Sequence, residues 1–255
     1  MCASRRVQLR RFDPSTIRNF STVLFTGGRG TGKSSLARDI MWNVRGRIYS
    51  ALAFTGTNDK DHPLEEYFGD ANVMHTFDEM RMFKFLDDQE QRRSVVDAYN
   101  AKDGTAFERP QGLIYFEDLE YLKKPIWNYE SVRALWFNGR HHGTMAFCAF
   151  QYIMEIKLAL RGMFDYAMFT MEPNVAVRER IWKQFGGVCA TFREFDDIFT
   201  TATANWGALI VDCRARSYRV DDAMCWYKAD HRDEQFSIGW VRGGGAEGNA
   251  NSPST

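Results

Sequence analysis

The chain has 255 residues, with 33 lysines and arginines against 33 aspartates and glutamates, so its formal charge is zero. Hydrophobic residues make up 44% and aromatics 15%, which excludes a wholly disordered chain and fits one α/β domain, alone or with a small appendage. A neutral chain does not coat nucleic acid by bulk attraction, so any contact with DNA needs a local basic patch or loops presented by an assembly.

The opening residues carry Arg5, Arg6, Arg10 and Arg11, the densest basic cluster, and no apolar h-region. They read as an N-terminal basic arm over residues 1–20, without a Sec-type signal. Thr22–Thr26 is a short apolar, β-branched run ending in glycines, which suits a buried parallel strand. Lys33–Val44 follows as a helix with Leu36, Ile40 and Val44 on one stripe.

Between them stand Gly27, Gly28, Arg29, Gly30, Thr31, Gly32, Lys33 and Ser34, followed by Ser35, a full match to G-x-x-x-x-G-K-[ST]. Glycines let the backbone curl until successive N–H groups point at phosphates. Lys33 adds a compact positive charge, the Ser34 hydroxyl can ligate Mg²⁺, and the helix aims its positive end at the same anion. Position between a predicted strand and a predicted helix is the context this motif requires.

Ile48–Phe54 reads as the second strand and Asp78–Ala101 as a long charged helix, with Gly104 just past its end. Leu113–Phe116 is a third strand, and it runs into Glu117 and Asp118. Ligands of open α/β sheets bind at such strand ends, and a P-loop ATPase needs one carboxylate for Mg²⁺ and one to orient water. Glu117 on the metal and Asp118 on the water is one assignment; the reverse is the other.

Lys123 and Lys124, with Trp127 nearby, are candidate contacts to a nucleic-acid backbone, or a solvated loop beside a buried tryptophan. Tyr129–Asn138 reads as a helix ended by Gly139, which leaves Arg140 in a loop. Arg140 is the first candidate for an arginine reaching a neighbouring subunit's γ-phosphate, and Arg161 the second. Adjacent His141 and His142 do not suggest a metal site. Met145–Phe150 is a fourth strand, and Gln151 at its mouth can hydrogen-bond a γ-phosphate or lytic water.

Tyr166–Met171 is a fifth strand, Val175–Phe185 a helix, and Ala208–Asp212 and Ala223–Lys228 late strands. Strands alternating with helices imply a parallel sheet covered on both faces. Cysteines at 2, 148, 189, 213 and 225 are odd in number and not spaced as a zinc clip. Cys148 and Cys213 read as core residues of a reduced, cytosolic compartment. The tail, residues 243–255, has no apolar residue larger than Ala and reads as disordered, leaving residues 21–242 as the ATPase domain.

This series resembles the viral genome-packaging ATPases of nucleocytoplasmic large DNA viruses (pox-, irido- and related viruses), within the FtsK–HerA branch of P-loop motors. The likeness begins at Arg11–Pro14 and includes Thr22–Ser35, the acids Glu117 and Asp118, and Gly139–His142 leading to Gln151. It continues through Leu160, Arg161, Asp165 and Tyr166. The resemblance implies an α/β P-loop NTPase of RecA/FtsK–HerA-like (ASCE) type, with a mostly parallel sheet flanked by helices. It further implies ATP with Mg²⁺, a homomeric ring (pentamer or hexamer), and translocation of double-stranded DNA into a preformed capsid. Capsid vertex proteins would be partners and the host cytoplasm, at virus factories, the location. One departure is Glu117, where the family usually has Asp. A kinase on the same loop and a non-catalytic nucleotide-binding scaffold are the alternatives; the paired acids speak against the first and intact Lys33 and Ser34 against the second.

Overall fold

The computed structural model describes residues 9–57, 63–104, 106–119, 122–151, 162–230 and 236–239. Nine strands form one sheet: β1 (Arg10–Arg11), β2 (Thr22–Thr26), β3 (Ile48–Thr55), β4 (Val73–Met74), β5 (Gln111–Glu117), β6 (Thr144–Phe150), β7 (Tyr166–Phe169), β8 (Gly207–Asp212) and β9 (Met224–Lys228). Their order is β1-β9-β8-β7-β2-β6-β5-β3-β4. Every pairing is parallel except β7 with β8 and β8 with β9. β8 alone therefore runs against the others, and the sheet is mostly parallel, as expected.

Helices are α1 (Lys33–Val44), α2 (Glu65–Phe68), α3 (Glu79–Asp103), α4 (Glu130–His142), α5 (Val175–Phe185), α6 (Phe192–Ala202) and α7 (Val220–Ala223). Side chains alternate across each strand, so neighbours sort to opposite faces. Val23 and Phe25 join Leu36, Ile40 and Val44 of α1 on one face, together with Phe12 and Ile17. Leu24, with Phe116 and Cys148, faces the other side, among Leu86, Trp136, Phe185 and Phe199 from α3 to α6. Residues 12 and 17, grouped by sequence with a basic arm, are thus part of the core.

Several boundaries differ from expectation. α4 runs through Gly139 and closes at Gly143, which takes φ 65° and whose N–H donates to the Gly139 and Arg140 carbonyls. Arg140 is therefore on the last helical turn and not in a loop. α6 was not anticipated, yet Thr191 accepts from the Glu194 amide at 3.2 Å, an N-cap followed by Phe195, Phe199 and Ala202 on one face. Cys213, expected in the core, is exposed beyond β8, whereas Cys148 is buried. No helix among the described residues is long and apolar enough to cross a membrane.

Candidate nucleotide site

β2 lies between β6 and β7, the strand that precedes it in space coming from a later part of the chain on both sides. The connection leaving β2 runs toward β3 on one side and that leaving its neighbour β7 toward β8 on the other, so the C-terminal ends of this pair form a topological switch point, where a crevice opens. The phosphate loop fills that position. Gly30 and Gly32 take φ 73° and 88°, left-handed values that glycine adopts without a Cβ clash. No side chain caps the first turn of α1, so its leading N–H groups are left for an anion.

The loop is anchored from the neighbouring strand. Thr31 Oγ1 lies 2.6 Å from Thr170 Oγ1 and donates to the Gly28 carbonyl at 2.7 Å. A Cβ on Gly27 would stand 1.8 Å from Thr170 Oγ1 and 3.1 Å from its Cβ. Gly27→Ala is therefore expected to cost about 1–3 kcal/mol through overpacking, because Thr170 must rotate and abandon Thr31. Thermal unfolding of the variant should show a midpoint several degrees lower; an unchanged midpoint would mean that the loop is not clamped this way.

Lys33, only 6% exposed, donates from Nζ to Asp118 Oδ1 at 2.5 Å. Asp118 follows β5 with φ 46°, a left-handed value that Asp tolerates better than most residues, and this turns its carboxylate toward the loop. Its amide is tied to the Ala149 carbonyl at 3.0 Å. Gln151, directly after β6, donates from Nε2 to Asp118 Oδ2 at 3.4 Å. Two residues far apart in the chain, Lys33 and Gln151, thus share the Asp118 carboxylate.

Glu117 is the last residue of β5, paired in register with Thr55 and Ala149. Its Oε1 accepts from Tyr115 Oη at 3.0 Å and from Ser34 Oγ at 3.2 Å, and its Oε2 from Thr55 Oγ1 at 3.4 Å. Burial pushes its carboxyl above the usual range; the Tyr115 hydroxyl opposes that shift and the Asp118 charge adds to it. Burial likewise pushes the Tyr115 phenol well up, so it stays a donor.

The donor set fits a hard divalent cation. Two cis oxygens on an octahedral Mg²⁺ at 2.0–2.1 Å stand roughly 2.9 Å apart, close to the 3.2 Å between Ser34 Oγ and Glu117 Oε1. Among the described residues no group of three or more His, Cys, Asp or Glu side chains could hold a metal alone, so phosphate oxygens would have to complete the shell. His142 Nδ1 lies 3.4 Å from Glu90 Oε2.

Other sequence candidates fall elsewhere. Arg140 ion-pairs with buried Asp165 at 2.8 Å. Asp165 precedes β7 and Arg140 precedes β6, so this pair stands at the N-terminal edge of the sheet, about one strand length (~17 Å) from the loop. Arg161 lies outside the described residues, as do Arg5, Arg6 and the tail. Trp127 is buried against Trp136 and Phe150, ring centroids 5.1 Å away in each case, and is not a wedge for DNA. Lys123 and Lys124 are exposed, the latter 4.0 Å above the Tyr129 ring. Arg11 sits on the edge strand and pairs with Asp230 at 3.4 Å. Sequence reasoning missed Thr55, Tyr115 and Thr170, whose roles depend on strand register.

No family model matches the chain. It is 26% identical over 232 residues to Uncharacterized protein 088R of Invertebrate iridescent virus 3, covering 89% of this chain and 84% of that one. It is 21% identical over 241 residues to Uncharacterized protein L437 of Acanthamoeba polyphaga mimivirus, covering 92% and 81%. Among solved structures it is similar to the genome packaging NTPase B204 of Sulfolobus turreted icosahedral virus 2 in complex with sulfate. That match has a TM-score of 0.54 and 12% identity, over 84% of this chain and 99% of the other. The same NTPase in complex with ATP-gammaS gives a TM-score of 0.52 at 13% identity, covering 85% and 98%. The chain therefore has the α/β P-loop ATPase fold of a viral genome-packaging NTPase, and its sequence relatives include proteins of an iridovirus and a mimivirus.

Proposed function

We propose that this chain is a Mg²⁺-dependent ATPase that drives double-stranded viral DNA into a preformed capsid, working as a homomeric ring in the host cytoplasm. One observation carries the catalytic part: Lys33, Ser34, Glu117, Asp118 and Gln151, drawn from three strand ends, converge on one loop whose helix N-terminus is uncapped. Bound Mg²⁺ would polarise the phosphate oxygens and neutralise charge developing on them.

This chain's own groups supply the rest. The loop amides from Gly27 to Ser35 cradle the phosphates, and Lys33 Nζ turns from Asp118 to them. Ser34 and Glu117 would hold the cation, an assignment supported by their mutual contact. Asp118, released by Lys33 and still held by Gln151, then accepts a hydrogen bond from the attacking water and takes its proton. A small-molecule kinase would have no need of that second acid.

Arg140 stands too far from its own loop to touch the same phosphates, so it would act only on a neighbouring subunit, after exchanging Asp165 for that site. The DNA and capsid part of the reading rests on the motif series and on the packaging role named for the structural neighbour.

Steady-state ATP hydrolysis with Mg²⁺, with and without long double-stranded DNA, tests the whole. Turnover is expected to rise several-fold with DNA. Phosphate transfer to a small acceptor in place of water would sink the motor reading, and ATP binding without turnover under any polymer would favour a scaffold.

A further inference from the structure

The groups that would hold the cation and orient the water lie on one flank of the phosphate loop, where β6 and β5 end. A nucleotide whose γ-phosphate meets them leads its sugar and base away over the other flank, toward β7 and β8. Because β8 is antiparallel to β7, its first residue, Gly207, lies at the same sheet edge as the loop. Trp206 immediately precedes it.

Trp206 is 70% exposed, although indole is a side chain that ordinarily gains by burial. A Cβ built on Gly32 would stand 3.6 Å from Trp206 Cε3, so the ring borders the loop backbone at the foot of α1. The turn that presents it is unusual. Asn205 and Trp206 take φ 52° and 65°, and a left-handed conformation is unfavourable for a bulky residue. The turn is also fixed, since a Cβ at Gly207 would lie 2.2 Å from the Ala202 carbonyl oxygen at the end of α6. Strain of this kind, spent on holding an aromatic out of the core beside a ligand loop, is what a ligand clamp requires.

We propose that Trp206 is the stacking platform for the base of the bound nucleotide, an inference that rests on the phosphate-loop reading above. The pairing of an aromatic platform with a loop that grips only phosphates separates two tasks. The loop sets affinity for any polyphosphate, and the indole adds affinity for one that carries a planar base.

The test compares ATP with inorganic tripolyphosphate, which keeps the phosphate chain and lacks the base, by equilibrium binding in Mg²⁺. Trp206→Asn removes the ring with a residue that tolerates the left-handed backbone; Trp206→Phe keeps a π face. Trp206→Asn is expected to weaken ATP binding about tenfold and to leave tripolyphosphate within twofold, with Trp206→Phe recovering most of the loss. Should Trp206→Asn fail to fold, as thermal unfolding would show, Trp206→Leu takes its place with the same expected loss. Unchanged ATP affinity, or equal weakening of both ligands, would overturn the platform. Wild type binding tripolyphosphate as tightly as ATP would overturn it too, while leaving the phosphate loop intact. Wild type binding neither ligand would overturn the phosphate-loop reading and this one with it.

Discussion

Lys33→Ala is expected to lower ATP turnover by at least about 10³-fold, the scale of removing a preorganised charge from a developing anion. Two features of the site sharpen that expectation. Lys33 is almost fully buried, so no solvent cation substitutes for it readily, and its Nζ is held by Asp118 at 2.5 Å. That ion pair competes with phosphate for the same ammonium. Asp118→Asn removes the competition and the proton acceptor together, so it should bind ATP more tightly than wild type, by several-fold, yet hydrolyse it at least about 10²-fold more slowly. Tighter binding with lost turnover is a signature that simple misfolding cannot give. Steady-state hydrolysis and equilibrium ATP binding on both variants decide it. Residual Lys33→Ala activity above a tenth of wild type, or weakened binding in Asp118→Asn, would show that the exchange does not occur.

What was legible in the sequence was what is local. The phosphate loop is contiguous, and its glycines, lysine and hydroxyls are specified by one turn of backbone and the helix after it. The strands β2, β5 and β6 were legible because each is an unbroken apolar run. Glu117, Asp118 and Gln151 were found because they end such runs. Which atoms they touch was not legible, since the 3.2 Å contact of Glu117 with Ser34 follows from parallel register between strands far apart in the chain.

Errors have the same origin. Gly139 looked like a helix stop because glycine so often is one, but the stop is Gly143, where the chain turns into β6. Trp127 looked available beside two lysines, and tertiary packing against Trp136 and Phe150 buries it. α6 could have been found from Thr191 and Glu194 three residues apart before a run of Phe195, Ile198 and Phe199. Trp206 could not, because its place beside Gly32 depends on β8 returning antiparallel, a reversal that the alternating pattern concealed.

Glu117→Gln is expected to abolish hydrolysis and yet to stabilise the ligand-free protein. The carboxyl is 7% exposed, and burial raises its proton affinity above that of an unfolded chain. A carboxyl whose folded value is raised binds more protons folded than unfolded, so stability falls as pH climbs from the unfolded value through the folded one. At neutral pH the buried charge is therefore a liability, only partly offset by donors from Tyr115, Ser34 and Thr55. Glutamine keeps the shape and can still accept from Tyr115, so the variant should gain on the order of 1 kcal/mol at pH 7. That gain should vanish once the pH lies below the unfolded carboxyl value, where the wild-type side chain is protonated in both states. Thermal unfolding across pH reads this directly. Added Mg²⁺–ATP should reverse the order, raising the midpoint of wild type more than that of Glu117→Gln, because only the carboxylate gains from the cation. A variant less stable than wild type at pH 7 without ligand would mean that Glu117 is held by its three donors as a structural acceptor, with no cost left for a cation to relieve.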